Sequence, residues 1–138
     1  MRVVLDTNVF VSAVFFGGTP GRVLSLWRDR AFDIAVSREV LEEYVRVGER
    51  LAAQAPGVDL GPALDLIAAH AIFVIAGSLP EPVCRDPDDD KFLVCALAAE
   101  AKTIVSGDRD LLVLSPYRGV TVLSPSAFTK QLSRTGRS

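Results

Sequence analysis

Acidic side chains recur at the ends of short apolar segments that lie far apart in this chain. Asp6 ends the apolar run that opens the sequence. Asp108 and Asp110 follow a second apolar run, and four aspartates lie within residues 86–91. Two carboxylates ~5 Å apart repel by ~3 kcal/mol at an effective dielectric of ~20, so a group of them needs a cation. An all-oxygen set of ligands suits magnesium or manganese, which makes a divalent metal site the first hypothesis.

Short apolar runs alternate with helical patterns along the chain, and this alternation predicts a single domain of the α/β class. We expect a three-layer α/β/α sandwich, Rossmann-like, around a central parallel β-sheet. The predicted strands lie at residues 3–5, 33–36, 72–75, 103–105 and 120–123. The predicted helices lie at residues 7–15, 21–30, 38–53, 61–70, 90–102, 110–114 and from 125 onward. Parallel strands end at one edge of the sheet, so the distant carboxylates are expected to meet there.

Length and composition are typical of one compact domain. The chain has 138 residues, of which 49% are hydrophobic and 23% charged, and this is enough for one sizeable core. We assign residues 1–133 to the domain and residues 134–138 to a frayed C-terminal tail. No apolar stretch reaches the ~18 residues of a membrane span, and the two cysteines form neither a disulfide framework nor a zinc pattern. These observations predict a cytoplasmic protein without a membrane segment.

The net charge of −2 conceals an uneven distribution of charges. If five predicted site carboxylates are set aside, fifteen basic residues outnumber the remaining twelve of the seventeen acidic residues. After Asp110 the sequence contains basic residues but no acidic one. An acidic pocket in a mildly basic surface suits a polyanion that is cut at a metal site. A solvated mixture of charges with a basic tail is the alternative.

Helical phase separates the glutamates of the helix predicted at residues 38–53. Glu43 lies ~90° from the centre of the apolar stripe, and Glu42 lies nearly opposite to it, at ~100° per residue. Glu43 is therefore the better candidate for a side chain that reaches from the edge of the core into a cleft. A surface ion pair between Glu43 and Arg46 or Arg50 is the alternative.

The aspartate run before the helix predicted at residues 90–102 contains residues of different expected roles. Asp86 is a natural N-cap, and Asp88 and Asp89 are explained by the preference of a helix N-terminus for negative charge. Asp90 shares its helix face with an apolar stripe, and an inward carboxylate needs a partner because an unpaired buried charge is costly. We therefore favour Asp90 over its neighbours as a site residue.

The sequence Asp-Thr-Asn that begins at Asp6 is poor packing material after a buried strand, which favours a functional role. Thr7, Asn8 and Ser106 are expected to support the site, because such side chains can hydrogen-bond carboxylate oxygens and fix their rotamers. Asp108 lies in a sequence that also suits a simple turn before a helix. Its position directly after a strand favours the site.

Four segments occur in an order that resembles the PIN-domain family of metal-dependent nucleases. They read LDTNVFVSA, SREVLEEYVRV, RDPDDDKFLVCALAAEA and TIVSGDRDLL. The sequence is most similar to the VapC type, the toxins of bacterial and archaeal toxin–antitoxin pairs. The resemblance implies a three-layer α/β/α fold, an acidic Mg²⁺ or Mn²⁺ site and endoribonuclease activity. It also implies a catalytic, metal-binding set of acids at Asp6, Glu43, Asp90 and Asp108, with Asp110 as an additional acid and Glu42 as the alternative to Glu43.

The implied reaction is hydrolysis of phosphodiester bonds in single-stranded RNA with one or two bound metal ions. Lys91 or Arg109 could hold the substrate phosphates. The implied biology is that of a toxin in a type II toxin–antitoxin pair, with a small antitoxin protein as partner. Relatives commonly dimerise, so we also expect a homodimer. The apolar residues that exceed the needs of one small core are Phe15, Phe16, Leu24 and Trp27.

Several other functions are alternatives to a toxin ribonuclease. A housekeeping RNA-processing nuclease of the same family and a catalytically silent module that binds RNA or protein would keep the fold. A metal-dependent phosphatase usually has a second aspartate two residues after its nucleophilic aspartate, where this chain has Asn8. A phosphate-accepting receiver domain needs a lysine after a later strand, and none is evident. His70 is the only histidine and ends a predicted helix, so no Ser-His-Asp or Cys-His arrangement is expected.

Overall fold

The computed structural model describes residues 1–135, and these form a five-stranded sheet flanked by helices. The strands are β1 (Arg2–Leu5), β2 (Asp33–Ser37), β3 (Ile72–Val74), β4 (Thr103–Val105) and β5 (Thr121–Leu123). Their order in the sheet is β3-β2-β1-β4-β5, and each neighbouring pair is parallel. The predicted three-layer α/β/α sandwich around a parallel sheet is therefore confirmed.

Seven α-helices connect the strands within the described part of the chain. They are α1 (Thr7–Phe15), α2 (Gly18–Arg28), α3 (Arg38–Gln54), α4 (Gly61–His70), α5 (Asp90–Ala98), α6 (Arg109–Leu112) and α7 (Pro125–Thr135). A short 3₁₀ helix, Pro87–Asp89, leads into α5. The N-cap of α2 is Gly17, in a left-handed conformation with φ of 73°, so α2 begins three residues before its predicted start.

Helix α5 ends four residues before its predicted end. Glu100 adopts a left-handed conformation with φ of 54°. The backbone N–H of Ala101 donates to the carbonyl of Ala96 at 2.8 Å, and the N–H of Glu100 donates to the carbonyl of Leu97 at 3.2 Å. This pair of bonds is the Schellman pattern that satisfies the last carbonyls of a helix. Because glycine normally occupies the left-handed position, a glutamate there gave no stop signal in the sequence.

The core lies on the central strands, which are buried along their length. Val3, Val4 and Leu5 of β1 are fully buried, as are Ile104 and Val105 of β4. Helix α5 packs against β1, β2 and β4, and α7 packs against α2 and β5. Strands covered on both faces need apolar side chains in both directions, which explains the uninterrupted apolar runs of the sequence.

Two residues expected at a dimer interface belong instead to this core. Leu24 and Trp27 are buried, with 7% and 6% of their surface exposed, whereas Phe16 is 77% exposed. Phe15 is half-buried beside Phe16, with their ring centroids 6.5 Å apart. The prediction that all four residues exceed the needs of the core was therefore wrong for Leu24 and Trp27.

The last helix continues to the end of the described residues, and none of the helices in this part of the chain could cross a membrane alone. Arg134 lies within α7, and residues 136–138 of the predicted frayed tail lie outside the described residues. Within residues 1–135, no single helix is long and apolar enough to cross a membrane. Only α1 and α2 taken together meet the criteria of length and composition, and they are bent by 95° where they join.

We predict that Tyr44→Phe destabilises the protein by about 1–3 kcal/mol, the usual cost of a buried polar group that loses its partner. Tyr44 is fully buried, stacks on Phe10 with ring centroids 4.5 Å apart, and donates its hydroxyl to the carbonyl of Leu5 at 2.5 Å. The free energy of unfolding in urea measures the effect. Tyr117→Phe is the matched control, because Tyr117 is only half-buried. Equal effects of the two changes would contradict the importance of the Tyr44 bond.

Candidate active site

The carboxyl ends of β1 and β4 lie side by side at the point where the order of strand addition reverses. From β1 the chain builds β2 and β3 on one side, and it then adds β4 and β5 on the other. Leu5 pairs with Val105, so Asp6 and Ser106 are the adjacent residues that leave the sheet. Ligands in open α/β sheets bind at the carboxyl ends of the strands at such a switch point.

Ser106 joins these two strand ends through a chain of hydrogen bonds. Its hydroxyl donates to Asp6 Oδ2 at 2.7 Å, and its Oγ accepts the backbone N–H of Asp108 at 2.9 Å. Asp108 Oδ1 in turn accepts the N–H of Asp110 at 2.9 Å and caps α6. Ser106 is fully buried. Ser106 therefore holds the Asp6 carboxylate, as the sequence predicted.

Glu43 enters the site from α3, as the helical phase predicted. It is only 8% exposed. The Thr7 hydroxyl donates to Glu43 Oε2, Lys91 Nζ lies 2.6 Å from Oε1, and Arg46 lies 3.5 Å from the same oxygen. Glu42 is exposed and forms an i,i+4 ion pair on the surface. The choice of Glu43 over Glu42 as the inward residue is therefore confirmed.

The two other residues expected to support carboxylates differ in their environment. Thr7 is buried, with 2% of its surface exposed, and makes its hydrogen bond to Glu43. Asn8 is exposed. Within the described residues its side chain makes no hydrogen bond to a carboxylate, so the predicted supporting role belongs to Thr7 and Ser106 only.

Asp90 is held by the loop before its helix, and within residues 1–135 no ion pair joins it to a basic residue. Its carboxylate accepts the backbone N–H groups of Val83 at 3.1 Å and of Cys84 at 2.8 Å. Burial would raise the pKa of Asp90, but hydrogen bonds from the Cys84 thiol and from these two N–H groups outweigh it and lower the pKa. An inward carboxylate does need a partner. For Asp90 the partner is the loop before α5.

The neighbouring Asp89 is the aspartate of this run whose pKa the charges of Asp6, Asp108 and Glu43 raise. It ends the 3₁₀ helix and is half-buried. Burial first, and then the negative charges of Asp6, Asp86, Asp108 and Glu43, raise the pKa of Asp89 to about 7. Asp88, by contrast, forms an ion pair with Lys91 at 3.2 Å. Sequence reasoning missed Asp89 because the helix dipole already explained an acid at that position.

We define the acid cluster as Asp6, Glu43, Asp89 and Asp108. Burial raises the pKa of Asp6, hydrogen bonding to Ser106 and the nearby Asn8 N–H lower it, and the charges of Asp108 and Glu43 raise it again. Negative charges that raise the pKa of Asp6 and Asp89 are the condition that a bound cation relieves. The donors are oxygen atoms, which fits Mg²⁺ or Mn²⁺.

The cluster is not arranged as a closed ligand cage. No three acidic, histidine or cysteine side chains of the described residues converge on one point at ligand distances. Direct binding by three carboxylates would require their side chains to rotate toward one another. The donor chemistry therefore fits a divalent cation.

The basic residues near the cluster differ in exposure and in how many carboxylates they contact. Lys91 is held by Glu43 and Asp88 and its side chain is only 14% exposed. Burial would lower the pKa of Lys91, but its bonds to these two carboxylates outweigh burial and raise the pKa. Arg109 is exposed, and Asp110 lies 3.9 Å from the exposed Arg85. Asp110 thus pairs with an arginine at the rim and stands outside the cluster.

Comparison with known proteins adds three findings. The model of the PIN domain family matches residues 2–110. An uncharacterised protein of Methanocaldococcus jannaschii is 32% identical over 120 residues, which cover 83% of this chain and 75% of that protein. The crystal structure of VapBC2 from Rickettsia felis bound to a DNA fragment from their promoter aligns with a TM-score of 0.59. That alignment covers 90% of this chain and 98% of the other at 16% identity, and it shows a shared fold.

We predict that Asp89→Asn and Asp90→Asn change the stability of the metal-free protein in opposite directions. The pKa of Asp89 is raised to about 7, so its contribution to stability is present below the unfolded pKa of ~3.9 and is lost as pH rises through about 7. Asp89→Asn should therefore raise the melting temperature at pH 8, with a gain that shrinks toward pH 5. Thermal unfolding in EDTA measures this change.

Asp90→Asn is the matched variant for that measurement. The pKa of Asp90 is lowered, so its contribution is present above the unfolded pKa and is lost as pH falls through the folded value. Asp90→Asn should lower the melting temperature at pH 8, because a neutral amide is a weaker acceptor for the Val83 and Cys84 N–H groups. A lower melting temperature for Asp89→Asn at pH 8 would contradict the clustered site.

Proposed function

The chain belongs to the PIN-domain family, and from this membership we propose that it is an endoribonuclease dependent on Mg²⁺ or Mn²⁺. Members of the family are nucleases. The observation that supports the proposal most directly is the acid cluster at the ends of β1 and β4. There Asp89 has a pKa of about 7, which burial and the charges of its acidic neighbours raise. A strongly perturbed carboxyl pKa in a cleft is typical of a functional site.

Asp6, Asp89 and Asp108 are the residues that would hold a metal ion, with Glu43 at the side of the cluster. When bound, such an ion supplies Lewis acidity and lowers the pKa of water for attack on a phosphodiester. The protein's own contribution is positioning. Ser106 holds the Asp6 carboxylate in one orientation through its 2.7 Å hydrogen bond, and the buried strands beneath it keep that orientation rigid.

Single-stranded RNA is the substrate that the surroundings of the cluster favour. Arg46, Arg85 and Arg109 expose their side chains near its rim, and arginine at a rim attracts a polyanion without filling the cleft. A single strand fits a narrow acidic cleft better than a duplex does. Lys91 is less available for substrate phosphates, because two carboxylates already hold it.

The toxin role is a further part of the proposal. The structurally similar VapBC2 is described as bound to a DNA fragment from their promoter, which supports a type II toxin–antitoxin pair with a small protein as partner here. A housekeeping RNA-processing nuclease and a catalytically silent module that binds RNA or protein are the alternatives. We also propose a cytoplasmic location.

We predict that the protein cleaves single-stranded RNA with Mg²⁺ or Mn²⁺ and that EDTA abolishes the cleavage. Asp6→Asn and Asp89→Asn should remove activity while the protein stays folded, because each removes a charged oxygen ligand. Glu42→Gln should keep activity, since Glu42 is exposed on the surface of α3. Labelled RNA, single-stranded DNA and a phosphomonoester are compared in the same assay. Full activity in EDTA would contradict metal dependence.

We predict that expression of the chain alone stops growth and degrades RNA, and that co-expression of a small protein encoded beside it restores both. The physical basis is that an unrestrained cytoplasmic ribonuclease attacks essential RNA. Growth curves and RNA integrity are the measurements, with Asp6→Asn as the inactive control. Normal growth and intact RNA with an enzyme that is active in vitro would favour the housekeeping nuclease.

We predict a homodimer that involves the exposed Phe16 and the half-buried Phe15. Analytical ultracentrifugation of Phe16→Glu should show a weaker dimer than the wild type, because a charge at an apolar contact is costly to desolvate. Ile75 is 98% exposed, so Ile75→Glu tests whether any loss of exposed apolar surface has the same effect. A wild-type monomer at high concentration would exclude the dimer.

A further inference from the structure

Lys91 occupies one side of the acid cluster as a bound cation would. Its Nζ lies 2.6 Å from Glu43 Oε1 and 3.2 Å from Asp88 Oδ1. We propose that this ammonium group is the second cation of the site, so that the protein binds one divalent ion, held on the side of Asp6, and Glu43 positions Lys91 instead of ligating metal. The inference rests on the proposed function and specifies how its metal site is built.

The oxygens of Glu43 are already occupied in this structure. The Thr7 hydroxyl donates to Oε2, and Lys91 and Arg46 both contact Oε1. The side chains of Glu43 and Lys91 are only 11% and 14% exposed, so solvent competes weakly with their bond. A metal ion that used Glu43 would have to displace a partly buried ammonium group from a 2.6 Å contact. Removing one partner of an ion pair that is largely shielded from solvent is unfavourable.

The remaining members of the cluster are not compensated in this way. No lysine, arginine or histidine within residues 1–135 forms an ion pair with Asp6, Asp89 or Asp108. The nearest arrangement is the Arg85 contact to Asp110 at 3.9 Å, outside the cluster. In the cluster, Glu43 is therefore paired with the Lys91 ammonium group. Asp6, Asp89 and Asp108 have no such cation among the described residues.

This division of charge determines the number of metal ions. A two-metal site needs ions ~3.5–4 Å apart, and the second of them would lie on the Glu43 side. Lys91 already places a positive charge there, and like charges at that distance repel strongly in a partly buried site. One divalent ion beside Asp6, Asp89 and Asp108 and one ammonium group beside Glu43 satisfy all four carboxylates.

The test is the number of Mn²⁺ ions bound by the metal-free protein, measured by calorimetric titration and by electron paramagnetic resonance of free Mn²⁺. The wild type should bind one ion. Lys91→Met should bind two, because Glu43 is then released to become a ligand. The double variant Lys91→Met with Glu43→Gln should return to one. Lys102→Met is the control, since Lys102 is exposed after the end of α5, and it should bind one ion like the wild type.

A second variant keeps the test decisive if Lys91→Met does not fold. Glu43→Gln in the wild-type background should still bind one Mn²⁺, and circular dichroism confirms its folding. Loss of the ion in Glu43→Gln, two ions in the wild type, or one ion in folded Lys91→Met would overturn the inference and leave the proposed nuclease in place. A wild type that binds no Mn²⁺ would overturn the proposed function and the inference together. One bound ion without cleavage of RNA would overturn only the proposed function.

Discussion

The mutual repulsion of carboxylates at the ends of β1 and β4 is the constraint on which the site depends. Asp6 is 6% exposed, and the charges of Asp108 and Glu43 add to the effect of its burial. Such a group persists only where the surrounding structure holds it in place. Here the fully buried strands and the α5 helix packed across them provide that rigidity. The buried strands therefore stabilise the fold, whereas the carboxylates at their ends lower its free energy of unfolding.

Two serine and threonine hydroxyls make this arrangement specific. Ser106 holds Asp6 and also accepts the Asp108 N–H, so one side chain connects two strands and the α6 cap. Thr7 holds Glu43 from the first turn of α1. Each hydroxyl fixes a carboxylate without neutralising it. The negative potential of the site is thus preserved, while the Asp6 and Glu43 side chains are each held by a hydrogen bond.

Much of this architecture could be predicted from sequence because it follows from periodicity. Apolar runs identified the five strands, and the phase of α3 separated Glu43 from Glu42. The ends of helices and the long-range packing between them could not be predicted from periodicity. The stop of α5 uses a left-handed Glu100, which carries no sequence signal. The assignment of Leu24 and Trp27 to a dimer interface failed because packing of α2 against α7 is a long-range contact.

Asp90 and Asp89 show why the interactions of a carboxylate depend on its partners more than on its helix face. The apolar stripe of α5 does turn Asp90 inward, but at the first turn of the helix the inward direction leads to the loop that carries Val83 and Cys84. Two backbone N–H groups there satisfy the charge and lower the pKa of Asp90. Asp89, one residue earlier, forms no ion pair with a basic residue of the described part of the chain, and its burial and the charges of the other acids raise its pKa. Because Asp90 anchors the loop before α5, it also fixes the orientation of the 3₁₀ helix that presents Asp89.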